Sequence, residues 1–326
     1  MSDFLQLNVS RVATSDLARG LFRVEFRAMG TTCEIQFQCN DEGVAGNFKE
    51  AALDWVRNFE ATYTRFEDSS LVSRINRAAG RDWVAIDPET EALFDLCDRF
   101  HFITRGLFDP TNLPIIELWD YKARHPRIPT DEEIGRAKDL VGWDKVKRKP
   151  GRVYLEKVGM GIDLGGIGKE YAVDSVALLA RDFGIGDVLI NFGGDVAALG
   201  HPPGYTHWHI GMEDPGNPGK CWGSLALNDL CVASSGDYRR FFDLNGKRYG
   251  HIVDHRKGYP IANKVQHVTV VAGTCTESGI LATAACLLGE EEGMELINRF
   301  FGAEGCLHTK FKRIDSHGIY HYMVSD

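Results

Sequence analysis

The run Asp163-Leu164-Gly165-Gly166-Ile167-Gly168-Lys169 sets three glycines within four residues between an acid and a base. Glycines so dense cannot fill a core, but they let backbone approach a ligand and supply positive φ. Apolar residues then recur at helix spacing (Ala172, Val176, Leu179, Phe183), with Gly184 at a C-cap position. A glycine turn opening onto a helix N-terminus is a natural seat for an anion. The spacing matches neither standard phosphate loop. A Walker A loop requires glycine where Asp163 stands and Ser or Thr where Glu170 stands. A dinucleotide loop begun at Gly166 meets Tyr171 where its third glycine belongs. A tight turn without any ligand fits the same residues.

Three other groups carry chemical potential. His251 precedes Asp254 by three residues, and a histidine near a carboxylate can serve as a general base; an ordinary packed histidine reads the same way. The stretch Thr276-Glu277-Ser278-Gly279-Ile280-Leu281-Ala282-Thr283-Ala284 can present oxygens to a hard cation, or simply cap a helix and pack it closely. Glycine turns also occur at Met29-Gly30-Thr31 and Gly193-Gly194-Asp195, each beside an expected strand end. Loops of this kind on a rigid frame are where ligands sit.

The elements that must position these groups follow from hydrophobic periodicity. Residues 21–39 read as a strand pair around Met29-Gly30-Thr31, and 45–63 as a helix with Phe48, Ala52, Val56, Phe59 and Tyr63 on one face. Asp87-Pro88-Glu89 starts a helix carrying Leu93, Cys97 and Phe100, and Thr130 with Glu133 is a capping box. Val188-Leu189-Ile190-Asn191-Phe192 reads as a strand. Strands dominate 206–272, helices follow at about 276–289 and 290–301, and two strands close the chain. The strands come in runs, without strict alternation with helices, so the fold class expected is α+β. Residues 121–129, basic and with two prolines, are the expected surface excursion.

Composition narrows the function class. The chain has 326 residues, 44% hydrophobic and 25% charged, with a formal net charge of −9 and no basic run, which argues against a nucleic-acid partner. The eight cysteines form no C-x-x-C pair, and several lie in apolar patterns and read as small buried residues of a reducing compartment. Residues 1–20 are expected to be a polar arm without the apolar stretch of a secretory leader. The longest near-apolar run, 279–289, is too short to span a bilayer, so a cytoplasmic location is expected.

Taken in order, these segments resemble the ApbE family, the FAD:protein FMN transferases. The resemblance is carried by Met29-Gly30-Thr31, residues 66–70, Ser73-Arg74-Ile75-Asn76, Gly106-Leu107-Phe108-Asp109-Pro110-Thr111 and 163–174. It continues through 191–195, Ser234-Ser235-Gly236-Asp237-Tyr238, 251–258 with Pro260, and Leu281-Ala282-Thr283-Ala284. It implies a single mixed α/β unit over 21–326, with mainly antiparallel sheets and packed helices, binding FAD with Mg²⁺ at the pyrophosphate. Such an enzyme transfers FMN to a Thr or Ser hydroxyl of an acceptor flavoprotein and releases AMP. Carried over by position, His251 is the base, with Asp254 beside it. Met29, Gly30, Phe66, Leu107, Phe108, Asp109, Asp163, Lys169, Gly193, Gly194, Ser235 and Val253 contact FAD. The Gly166 carbonyl and the Thr283 hydroxyl face the metal.

This chain departs from the family pattern at three places. Gly279 stands where the family places a metal-binding aspartate, and Lys169-Glu170-Tyr171 replaces Lys-Gly-Tyr. Asp254-His255-Arg256-Lys257-Gly258 replaces Asp-Pro-Arg-Thr-Gly. Glu277 or Lys257 is the nearest charge available to compensate for Gly279. Loss of the aspartate also opens two alternatives: an FAD-binding protein without transferase activity, or a pyrophosphatase giving FMN and AMP.

Overall fold

The computed structural model describes residues 8–11, 20–119, 126–217, 219–236, 241–244 and 246–324. The expected excursion at 121–129, most of the 1–20 arm, and Asp237 with Tyr238 therefore lie partly or wholly outside the described residues.

The strands Leu21–Ala28 and Thr31–Gln38 form as their alternation demands, and the bend between them uses Met29 and Gly30 at φ 50° and 71°. Two successive left-handed residues match the twist of the flanking strands. This hairpin belongs to a nine-stranded sheet. In spatial order its strands are Asn8–Arg11, Leu21–Ala28, Thr31–Gln38, Val188–Phe192, Asp195–Leu199, Leu230–Gly236, Val265–Ala272, Glu304–Thr309 and Arg313–Asp315. Part of the expected polar arm is thus an edge strand, its Asn8 opposite Glu25. Every strand pair among the described residues is antiparallel, which agrees with the α+β expectation.

Eight α-helices occur among the described residues: α1 Glu42–Tyr63, α2 Leu71–Ala78, α3 Pro88–Ile103, α4 Leu113–Leu118, α5 Asp131–Asp139, α6 Gly168–Asp182, α7 Cys275–Leu288 and α8 Glu290–Arg299. Two of their caps were readable in sequence, whereas α7 is capped by Thr274 and not by the expected Thr276. Asp87 accepts from the Thr90 N–H, and Thr130 with Glu133 makes both bonds of the capping box. None is long and apolar enough to cross a membrane.

Helices cover one face of the sheet. Phe37 meets Phe48 of α1 edge-on at 4.9 Å, and α1, α3 and α6 share one apolar core with the first strands. α7 and α8 form a second core over Val268, Val270 and Leu307. A hairpin, Trp208–Glu213 with Cys221–Leu227, covers the opposite face through Trp208, Met212 and Leu225. Asp195–Leu199 is consequently buried at every residue: Val196 and Ala198 face the hairpin, Ala197 and Leu199 the helices.

α7 is buried on most of its circumference, which fits its run of Ala, Ile, Leu and Cys. Its N-terminus is held from α6. The Asp174 carboxylate accepts from the Cys275 N–H (2.7 Å), the Thr276 N–H (2.9 Å) and the Thr276 hydroxyl (2.6 Å). Burial raises the Asp174 carboxyl above its usual range, while these three donors pull the other way. Asp174→Ala strands three donors at a helix start and is expected to lower unfolding free energy by about 1–3 kcal/mol, read from urea midpoints; an unchanged midpoint would contradict the clamp.

Candidate functional site

The expected site residues come together in linked pairs. Gly193 sits over Thr31: a Cβ on it would lie 2.4 Å from the Thr31 Oγ1, and its φ is +69°. Its N–H donates to the Thr32 carbonyl at 3.1 Å, and the Gly194 N–H donates to the Asn191 Oδ1 at 2.9 Å. The Met29-Gly30 and Gly193-Gly194 bends are therefore neighbours at one end of adjacent strands. The Met29 N–H is tied to the Glu60 carboxylate of α1 at 2.8 Å. Gly30, Gly165, Gly166, Gly193 and Gly194 are all exposed, so these bends present bare backbone to solvent.

Asp195 follows directly and is buried. Its carboxylate accepts from the Lys169 ammonium at the start of α6. Lys169 also lies 4.0 Å from the Glu170 Oε1. Burial disfavours the Lys169 charge, but Glu170 and Asp195 outweigh it and raise the pKa above its ordinary value. Asp163 and Lys169 were expected to act as a bracketing pair, yet each has a different partner. Asp163 accepts from the Arg65 Nε at 2.7 Å and the Gly165 N–H at 2.7 Å. Arg65 also lies over the ring of Phe66, 4.2 Å from its centroid, and Phe66 itself is 77% exposed. An exposed ring backed by a guanidinium is a ready stacking surface for a flat heterocycle.

The Phe108 ring approaches Gly166, 3.8 Å from where a Cβ would be. Leu107 is buried in the core around α7. Asp109 is buried and fully engaged: Oδ1 takes the Thr111 N–H (2.8 Å) and hydroxyl (2.5 Å), and Oδ2 takes the Trp143 N–H (3.0 Å). It shapes its loop from within. On the sheet side, the Ser235 Oγ and the Thr283 Oγ1 are 2.7 Å apart.

His251 is half-buried, ahead of the short pair Val253–Asp254 with Tyr259–Pro260. Asp254, expected beside it, is engaged by cations of its own turn. Both its oxygens are held by Arg256, at 3.0 Å each, and Lys257 stands 3.3 Å away. Burial opposes the Asp254 charge, but these cations offset it and hold the carboxyl below its usual range. Val253 packs against the cluster of Trp119, Phe242 and Tyr249. Lys257 is thereby committed to Asp254 and does not fill in for the charge missing at 279. Glu277 is not that substitute either, since its Oε1 faces Arg99 at 3.4 Å.

The residue that does approach 279 is Glu170. A Cβ on Gly279 would lie 2.5 Å from the Glu170 Cγ and 2.7 Å from its Oε1. Glu170 is buried, and its Oε2 has no hydrogen-bond partner among the described residues. Among those residues no cluster of three His, Cys, Asp or Glu could hold a metal. The oxygens at hand are mixed: the Glu170 carboxylate against Gly279, and the Ser235 and Thr283 hydroxyls beside each other. Such hard donors suit Mg²⁺, which keeps waters and substrate phosphates as its other ligands.

Sequence reasoning missed Arg65, Glu60 and the role of Glu170. Arg65 and Glu60 carry no local signal, because their partners are 98 and 31 residues away. The reciprocal change of size at 170 and 279 was the one available hint.

The ApbE family model matches residues 29–307. A Vibrio cholerae FAD:protein FMN transferase is 30% identical over 274 residues, covering 82% of this chain and 81% of that protein. A Klebsiella pneumoniae protein of the same name is 29% identical, covering 88% of each. Among solved structures, the ApbE protein of Thermotoga maritima superposes with a TM-score of 0.85 at 30% identity, over 94% of this chain and all of that one. The flavin transferase ApbE of Vibrio cholerae gives 0.83 at 25% identity, over 93% and 99%.

One pH response follows from the geometry. Burial lowers the His255 pKa from its usual 6.5, while Asp109 and Asp254 pull it up and Arg256 and His101 push it down. A histidine kept neutral by the fold stabilises it fully above the unfolded value, and that contribution is lost as pH falls below it. The urea midpoint is expected to drop between pH 7 and pH 5, and His255→Gln to flatten that drop; an equal drop in the variant would contradict the assignment.

Proposed function

The chain belongs to the ApbE family, matched along residues 29–307, and from that premise we propose that it transfers the FMN half of FAD to a Thr or Ser hydroxyl of an acceptor flavoprotein, releasing AMP. The observation that carries this reading is the convergence, at the open end of α6, of exposed glycine backbone, one lysine and several oxygen donors.

The reaction exchanges a phosphoanhydride bond for a phosphoester bond. The acceptor oxygen attacks the phosphorus of the FMN half, the bond from that phosphorus to the AMP phosphate breaks, and the hydroxyl proton passes to a base. His251 is the residue assigned to that base, acting within hydrogen-bond reach of the incoming hydroxyl. Phe66 and Phe108 offer the flat and edge surfaces for the ring systems of FAD. The exposed glycine bends, without side chains in the way, let phosphate oxygens approach the backbone closely. Lys169 stands at the helix N-terminus with its charge balanced by Asp195.

Mg²⁺ fits this donor set. α6 and α7 run antiparallel in contact: Asp174 reaches 275 and 276, and one turn back Glu170 reaches 279. Thr283 is one turn beyond Gly279 on α7, and Gly166 lies in the turn just ahead of α6. The Gly166 carbonyl, Glu170 and Thr283 would hold the ion. It would neutralise phosphate charge and steady the leaving AMP.

FAD and a Thr-containing acceptor peptide are expected to yield AMP and flavinylated peptide on chromatography. His251→Ala is expected to cut turnover by roughly 10²–10⁴-fold while retaining FAD. AMP appearing equally fast without acceptor would favour hydrolysis instead, and FAD retention without AMP would favour a binding protein.

A further inference from the structure

Glu170 stands out among the buried charges. It is 7% exposed, and one oxygen lacks any hydrogen-bond partner among the described residues. A buried carboxylate oxygen left unpaired costs free energy comparable to a lost charged hydrogen bond. Its nearest cation, Lys169, is at the limit of ion pairing with the other oxygen and is bound to Asp195. The local group is thus one ammonium and two carboxylates, a net negative charge. That group would repel a diphosphate unless a cation joined it.

The position of Glu170 is specific. Its Cγ, Cδ and Oε1 fill the space that a side chain at 279 would enter, at 2.5, 2.9 and 2.7 Å from the added Cβ. Thr283 is one turn further along the same face of α7, with the Ser235 hydroxyl 2.7 Å from its own. A carboxylate reaching across from α6 therefore ends beside the face of α7 that carries Thr283.

We propose that Glu170 is the carboxylate with which this chain holds a divalent cation, supplied from α6 into the space vacated by Gly279 on α7. The two positions exchange the burden: an acidic side chain at one requires its absence at the other. The inference depends on the flavin-transfer reading only for what the cation serves.

The test uses the full chain and Mn²⁺ as the probe, with binding read by electron paramagnetic resonance and melting temperature read with and without the ion. Wild type is expected to bind Mn²⁺ and to melt higher with it. Glu170→Gln, which keeps size and removes charge, is expected to weaken Mn²⁺ binding at least tenfold. Gly279→Asp alone is expected to melt lower, because its Cβ meets Glu170. Glu170→Gly with Gly279→Asp is expected to regain Mn²⁺ binding. Glu170→Gln binding Mn²⁺ within twofold of wild type would overturn the proposal, as would wild type binding none. The Glu170→Gln result decides even if the exchanged variant does not fold. AMP release is scored separately with acceptor peptide. Transfer that survives without a Glu170-dependent ion defeats this inference alone, and Glu170-dependent Mn²⁺ binding without transfer defeats the functional reading alone.

Discussion

The antiparallel contact between α6 and α7 is the constraint on which the site depends. Asp174 fastens the start of α7 to α6 with three hydrogen bonds. That clamp sets which residues meet one turn further on, where Glu170 lies over Gly279. A shift by one residue would rotate Glu170 away by about 100° and separate it from α7. Charge-assisted bonds to a helix N-terminus are among the stronger local interactions, so this register is firmly held.

The other walls are held by the same logic. The Gly193 bend tolerates no side chain because Thr31 stands beneath it, and that tight fit ties the first hairpin to Val188–Phe192. Asp195, next in sequence, anchors Lys169 and so joins the sheet edge to α6. Arg65 joins Asp163 to the end of α1, and Glu60 joins α1 to Met29. Each link is one charged side chain across a long sequence separation, around a rim of exposed glycine. Rigid walls with bare backbone between them suit a polyanionic ligand better than an apolar one.

Much of the fold was legible. The cap signals at Asp87 and Thr130 and the alternation along 21–39 are local, so they needed no tertiary knowledge. The antiparallel topology followed from strands arriving in runs. Charge partners were less legible. Asp163 with Lys169, and His251 with Asp254, are close in sequence and looked like pairs, but Asp163 takes Arg65 and Lys169 takes Asp195 from far along the chain, while Asp254 takes Arg256 from its own turn. Gly279 was read as a lost ligand because the chain was compared one position at a time. The compensation we propose lies 109 residues earlier, on another helix, where Glu170 packs against Gly279.

The most direct measurement is a crystal structure with FAD and Mn²⁺, with diffraction recorded across the manganese edge. The account predicts one anomalous peak between α6 and α7, within coordination distance of Glu170 Oε2 and the Thr283 hydroxyl. A peak held by other residues, or flavin bound with Glu170 facing no ion, would contradict it.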